Sequence, residues 1–270
     1  MARVAALQMC STTDVQHNLD VVEEYARQLA GDEPTLLVLP ECFVCFGGAD
    51  KSLLNIAEIR GDGPIQQRLA SIARAAGIWL VAGTIPLWNQ SKNKFTASCL
   101  IYDDNGHVVT EYQKIHLFDV NVADNTGRYQ ESKYTQAGQT LTVFDSPFGR
   151  MGIAVCYDLR FPAMFQAMQP LDIICLPSAF TYATGKAHWQ ALLQARSIEN
   201  QSYVVAANQS GEHENGRRTY GHSQIWSPWG ELLAEKPTET GIISARVDHN
   251  YLAQIRKNMP VRASSKESYR

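Results

Sequence analysis

Cys156 follows the apolar run Met151–Val155 and precedes a polar, aromatic and basic cluster of Tyr157, Asp158 and Arg160, before Phe161 and Pro162. A cysteine at the point where a buried strand leaves its sheet is held rigidly and can face a cleft, as a thiol nucleophile must. Taken alone the residue is ambiguous, because free cysteine also serves as a small apolar filler. Its reading depends on which other groups could take its proton and stabilise the charge created by its attack.

Two charged residues stand at the ends of strand-like runs in the same way. Glu41 directly follows LLVLP and Lys114 ends the strand-like EYQ before the apolar IHLF. A carboxylate at a strand end lines the cleft beyond the carboxyl edge of a sheet, where it can act as a base. A lysine in such a place is a fixed positive charge for an oxyanion. Each has an ordinary alternative, a solvated loop acid for Glu41 and a lysine snorkelling to water for Lys114. Glu131, in the polar stretch RYQES near Arg128, Tyr129 and Lys133, reads by itself as one half of a solvated charge pair. Histidine is the usual base for a cysteine, and His116, His188, His213 and His222 are candidates. None lies in a papain-like or caspase-like signature, so a glutamate base and a histidine base both stay open.

The other cysteines point elsewhere. Cys10, Cys99 and Cys175 sit in strand-like runs without polar neighbours and read as core. Cys42 and Cys45 form a C-x-x-C, but zinc would need a second ligand pair and a redox motif would open a helix. Phe43, Val44, Phe46 and Gly47 read as a loop, so neither metal nor redox use is expected.

The elements that must position these residues alternate between periods. Arg3–Met9 reads as a buried strand, the segment from about Val15 to Leu29 as an amphipathic helix, and Thr35–Leu39 as a short buried strand. That order suggests a crossover between parallel strands. Pro64–Ala76 is a helix with proline in its first turn and Gly77 at its exit. A strand over Ile78–Ile85 follows, then half-buried segments at Phe95–Tyr102, Val108–Gln113 and Leu141–Phe144, the first two joined by the turn Asp103-Asp104-Asn105-Gly106. Beyond Cys156 come a helix through Met164 and Met168, a strand Leu171–Leu176, a helix from about Lys186 to Ile198 and a strand Tyr203–Ala207. Ser223–Ser227 and Leu232–Glu235 flank the turn at Pro228-Trp229-Gly230. Ile242–Val247 is a last strand before a helix at Asn250–Lys257. Twelve or so strands exceed one ordinary sheet, and two sheets face to face with helices outside is the economical arrangement.

Composition narrows the function classes. With 270 residues and 45% hydrophobic content the chain can bury a large core, and no linker or charge run divides it, so one domain over residues 1–270 is expected. A net charge of -3 offers no global attraction to nucleic acid. No apolar run approaches the roughly 20 residues that span a bilayer, and the first residues are too soon polar for a signal peptide, so no membrane partner and a cytoplasmic location are expected. Six cysteines in a chain of this length read as reduced thiols.

LPE at Leu39–Glu41, YQKIHLF at Tyr112–Phe118 and GIAVCYDLRFP at Gly152–Pro162 together resemble the three catalytic motifs of the nitrilase superfamily of carbon-nitrogen hydrolases, in the same order. The likeness extends from the first strand to the MPV near the C-terminus. It implies an α/β fold, a four-layer αββα sandwich of two mixed sheets, paired through its helices into homodimers or larger assemblies. A tail from about residue 258 is a candidate for an oligomer interface. By the same resemblance Glu41 is the general base, Lys114 stabilises the oxyanion, Cys156 is the nucleophile, and the backbone N–H of Tyr157 is the second oxyanion donor. Glu131 matches the additional glutamate of the amidase branches, which positions the substrate amide and the lysine. No metal or organic cofactor is implied, and the partner is a small-molecule amide.

Within that superfamily CYDLRFP, the stretch at Thr184–Gln209 and YGHSQIWSPWG are most similar to enzymes acting on deaminated glutathione, with ω-amidases acting on 2-oxoglutaramate next. A substrate with a 2-oxo acid end needs a cation for its carboxylate. Arg160 is one candidate, with an ion pair to Asp158 as its structural alternative, and Arg128, Lys186 and Arg196 are others. Tyr129, Phe180, His188 and Trp189 are candidates for shaping the pocket, with helix packing as the alternative for Trp189. The chain departs from these relatives at CFVCFGGADKS after Glu41, which bears on the leaving amine. Nitriles or carbamoyl amides are further substrate classes, and a catalytically idle binding protein of the same fold is the non-enzyme alternative.

Overall fold

Alternation along the first two strands sorts their side chains into two layers. In Ala2–Gln8 and its parallel partner Thr35–Val38, the residues Val4, Ala6, Leu36 and Val38 point into one core. Ala5, Leu7 and Leu37 point into another. The second core is closed by helices α1 (Val15–Gln28) and α2 (Pro64–Ala76), through Leu19 and Val22 of the first and Leu69 and Ile72 of the second. Both faces of these strands are therefore covered, which is why they read as unbroken apolar runs. This computed structural model describes residues 2–261 other than 123 and 125.

The first sheet runs, from edge to edge, Gly241–Val247, Ala2–Gln8, Thr35–Val38, Trp79–Val81, Phe95–Tyr102 and Ile85–Trp88, with Val108–Gln113 also paired to Phe95–Tyr102. The second runs Leu232–Lys236, Ser223–Trp226, Tyr203–Asn208, Ile173–Ser178, Gly149–Ile153 and Thr142–Ser146. Each sheet has three adjacent parallel strands in its middle and antiparallel strands outside them. Helices α3 (Pro162–Met168) and α4 (Tyr182–Asn200) cover the second sheet, with Trp189 and Leu193 in the core shared with Ile153 and Ile173. The layers are thus helix, sheet, sheet, helix, the αββα sandwich that the resemblance implies. Helix α5 (His249–Asn258) follows the last strand.

The Asn-Gly turn after Phe95–Tyr102 and the turn before Leu232 form the hairpins expected of them. Three local expectations change. The strand expected over Ile78–Ile85 is broken into Trp79–Val81 and Ile85–Trp88. The polar stretches around Arg128 and Arg218 form two small hairpins, Asp119–Asn121 with Arg128–Gln130 and Ser210–Glu212 with Arg218–Tyr220. Cys10 lies beyond its strand and is exposed, not core, while all six cysteines are free thiols. Among the described residues no helix is long and apolar enough to cross a membrane. Residues 262–270 of the tail considered for an oligomer interface lie outside the described residues.

Candidate active site

The carboxyl ends of the central parallel strands of both sheets lie at one edge, tied together by a parallel bridge between Met9 and Gln209. On the first sheet, Leu39 N–H still donates to Val81 O at 2.9 Å, and the strand ends at Pro40 and Glu41. The break in the neighbouring strand makes this exit possible. Gly83 has φ +47°, and a Cβ there would lie 2.1 Å from Pro40 O, so only glycine allows the two backbones to approach. Thr84 Oγ1 then accepts the Cys42 N–H at 2.9 Å, and from the second sheet Gln209 Nε2 donates to Glu41 O at 3.1 Å. Held this way, Glu41 is 5% exposed.

Lys114 continues the strand Val108–Gln113, its N–H donating to Ala97 O at 3.0 Å. Its ammonium donates to Glu41 Oε1 at 2.7 Å and Glu131 Oε2 at 2.8 Å. It is 2% exposed, so it does not snorkel to water. Burial alone would pull its pKa down, but the charges of Glu131 and Glu41 outweigh this and hold the ammonium firmly protonated. Glu131 is no solvated charge either, since Oε2 also accepts the Phe118 N–H at 2.7 Å. Burial pushes its pKa up, against the pull of Lys114.

Cys156 opens a 3₁₀ turn, Cys156–Arg160, with φ +47°, a conformation that costs a non-glycine residue about 1–3 kcal/mol and persists only when its surroundings hold it. The clamp is Asp158, which is fully buried. Its Oδ2 accepts from Tyr112 Oη at 2.6 Å and Val155 N at 2.8 Å, and its Oδ1 accepts from His116 N at 3.1 Å and His116 Nδ1 at 2.7 Å. The His116 ring stacks on Phe161 at 3.6 Å. Asp158 therefore ties the cysteine turn to the strand that carries Lys114. Sequence reasoning missed this role; the available signal was an acid three residues beyond a buried strand, which demands several donors if it is buried too.

Burial and the negative charge of Glu41 push the Cys156 thiol well above the usual thiol range, while Lys114 and the Ala179 backbone N–H pull it back. The Tyr157 N–H falls in the first turn of the 3₁₀ segment, where the helix itself supplies no acceptor. The histidines weighed as bases are engaged elsewhere: His116 with Asp158, His188 with Arg160, His213 with Ser11 O and Thr219, and His222 with Glu235. The buried acid beside the thiol is Glu41, with Lys114 next to it.

The sequence profile of the carbon-nitrogen hydrolase family matches residues 3–257. The chain belongs to that family. It is 42% identical over 263 residues to a deaminated glutathione amidase of Yersinia enterocolitica, covering 96% of this chain and 91% of that one. It is 33% identical to an omega-amidase of Xenopus laevis, covering 98% of this chain and 95% of the relative. Among solved structures, the NitFhit protein of C. elegans superposes with a TM-score of 0.90 at 33% identity, over 98% of this chain and 66% of that longer one.

In this carbon-nitrogen hydrolase the cleft above Cys156 is lined by Tyr129, Tyr157, Arg160 and Phe180, together with Phe118 and the loop from Cys42 to Gly48. His188 and Trp189 are not among the lining residues. Trp189 is fully buried behind Phe180, at 4.7 Å between rings, and its indole N–H donates to His222 O. His188 is exposed and meets Arg160 Nη1 at 3.2 Å. The alternative ion pair of Arg160 with Asp158 does not form, because Asp158 is filled by its four donors. Among the described residues no carboxylate lies within ion-pair distance of Arg160, whose guanidinium rests over Phe180 at 5.3 Å and Tyr157 at 6.0 Å. Arg196 is structural, donating to Leu159 O and pairing with Glu199. Arg128 and Lys186 do not line the cleft. Cys42 and Cys45 contact different partners, Thr84 and Thr13 O.

Proposed function

We propose that this hydrolase splits deaminated glutathione into 2-oxoglutarate and Cys-Gly through an acyl thioester on Cys156. The observation that carries the reading is the buried Lys114 ammonium shared by Glu41 and Glu131 beside the Cys156 thiol. Because the thiol is held above its usual range, it is neutral until substrate arrives, and its proton must leave as the carbon-sulfur bond forms. Glu41 takes that proton. The amide oxygen, now an anion, is held by Lys114 Nζ and the Tyr157 N–H. When the carbon-nitrogen bond breaks, Glu41 returns the proton to the departing amine. A water deprotonated by the same carboxylate then attacks the thioester, releasing the acid and restoring the thiol. Glu131 holds the far side of the ammonium and orients the amide. The residues of the chain supply every proton acceptor and charge that these steps use.

Arg160 supports a substrate with a carboxylate in its acyl half, since its guanidinium lines the cleft over two rings and, among the described residues, contacts His188 through Nη1 but has no carboxylate partner. A second reading, 2-oxoglutaramate, presents the same acyl half with ammonia as the leaving group, and the likeness to an omega-amidase favours it. Steady-state kinetics on both amides distinguish them: the larger kcat/KM is expected for deaminated glutathione. Inertness to both, with turnover of a nitrile or carbamoyl amide, would overturn the substrate class.

Pairing into homodimers or larger assemblies belongs to the same proposal. It is supported by exposed Ile198 on α4 lying against the turn that carries exposed Trp229, and sedimentation velocity giving only a monomer would sink it. Six free thiols support a cytoplasmic location, which cell fractionation checks.

A further inference from the structure

Among the described residues, apart from Glu41, Lys114 and Glu131, every charged residue that lines the cleft is an arginine: Arg160, Arg217 and Arg218. Arg160 and Arg218 reach the cleft from different elements. Arg160 is four residues from Cys156 and lies over Phe180. Arg218 comes from the hairpin Ser210–Glu212 with Arg218–Tyr220, which the sequence pattern does not announce. This hairpin is docked firmly on the strand exit of the second sheet. Thr219 bridges to Thr181, Tyr220 N–H donates to Phe180 O at 3.0 Å, and buried His213 joins Thr219 Oγ1 at 2.8 Å to Ser11 O at 3.0 Å. The guanidinium of Arg218 is parked over the Tyr182 ring at 4.6 Å, and among the described residues no carboxylate lies within ion-pair distance of it.

One segment measures the separation. Ala179 N–H acts on the Cys156 thiol, Phe180 carries Arg160, Thr181 pairs with the hairpin, and Tyr182 carries Arg218. Three residues of extended chain span at most about 10 Å, and a two-residue leaving amine such as Cys-Gly reaches about 7 Å from the scissile nitrogen. A flexible arginine side chain bridges the difference. We infer that Arg218 is a specificity residue that binds the carboxylate at the far end of the leaving amine, so that the hairpin selects amides of an acidic dipeptide over ammonia. This rests on the reading of the substrate given above and adds which side chain recognises its departing half.

The test compares wild type with Arg218→Gln and Arg218→Lys on three amides: deaminated glutathione, the same compound with its glycine carboxylate capped as an amide, and 2-oxoglutaramate. Arg218→Gln is expected to lower kcat/KM on deaminated glutathione roughly 10- to 100-fold, mainly through KM. Its effect on the capped compound and on 2-oxoglutaramate should be much smaller, and Arg218→Lys should recover part of the loss. Capping the carboxylate should cost the wild type a similar factor. Equal losses on all three amides would mean that the arginine only packs the hairpin, and no loss on any would mean that it does not touch substrate; either result overturns the inference. Wild-type inertness to both acidic amides would instead fail the substrate reading, and this inference with it.

Discussion

The floor of the cleft and its outer wall are built on opposite principles. At the floor, Glu41, Lys114 and Cys156 are nearly inaccessible, and Glu41 and Lys114 lie in a dense set of charge-assisted hydrogen bonds anchored by backbone groups of both sheets. At the wall, Arg160 and Arg218 rest on aromatic rings with no carboxylate of the described residues beside them. A site closed on itself performs one reaction on any amide that reaches it. On the proposed reading the arginines of the wall choose the amide, so chemistry and choice of substrate should be separable by substitution.

The sharpest break falls at the floor. Cys156→Ala removes the proposed nucleophile and is expected to lower amide turnover by roughly 10^4-fold or more, because groups that act as a unit are not replaced by the remainder. Circular dichroism should show the fold retained, since a buried methyl replaces a buried thiol. Substantial residual activity would remove Cys156 from the mechanism.

Lys114→Met should act on both rate and stability. It leaves Glu41 and Glu131 buried without their cation, which costs about 3–5 kcal/mol of stability. Loss of an oxyanion donor is worth roughly 10²-fold or more in kcat. Urea denaturation reads the first effect. The deficit should shrink as pH falls, because Glu131, already pushed toward its neutral form, then takes up a proton and the repulsion disappears. A deficit that grows on acidification would contradict the arrangement of charges.

The smallest effect concerns the resting thiol. Iodoacetamide labelling of Cys156, followed by peptide mass spectrometry, should rise steadily between about pH 7 and 9 without a plateau, because only the thiolate reacts and the thiol is held above its usual range. A plateau at neutral pH would indicate a preformed thiolate and leave Glu41 no proton to take.

Much of the floor was legible before any coordinates. Glu41 and Cys156 each follow an apolar run, and a charge or thiol at the end of a buried strand has few places to go but a cleft, while Lys114 ends a strand and enters an apolar segment. Glu131 was not legible from its own surroundings, because RYQES looks like any polar loop. Its carboxylate becomes informative only once Lys114 and the Phe118 N–H are seen beside it. Trp189 and His188 were placed too close to the substrate for a related reason. They touch Phe180 and Arg160, which line the cleft, without lining it themselves.

By itself the sequence determined the layered sandwich, through strand-like runs and amphipathic helices, and the three groups at strand ends, because the run that forms a strand and the charge or thiol that ends it are both written in local pattern. Tertiary structure alone decided which acid clamps the cysteine turn, that Gly83 must be glycine so that Pro40 can pass, and that the hairpin of Arg218 walls the cleft. Those are contacts between segments far apart in the chain, whose partners are chosen by sheet order and register and leave no periodic trace in either segment.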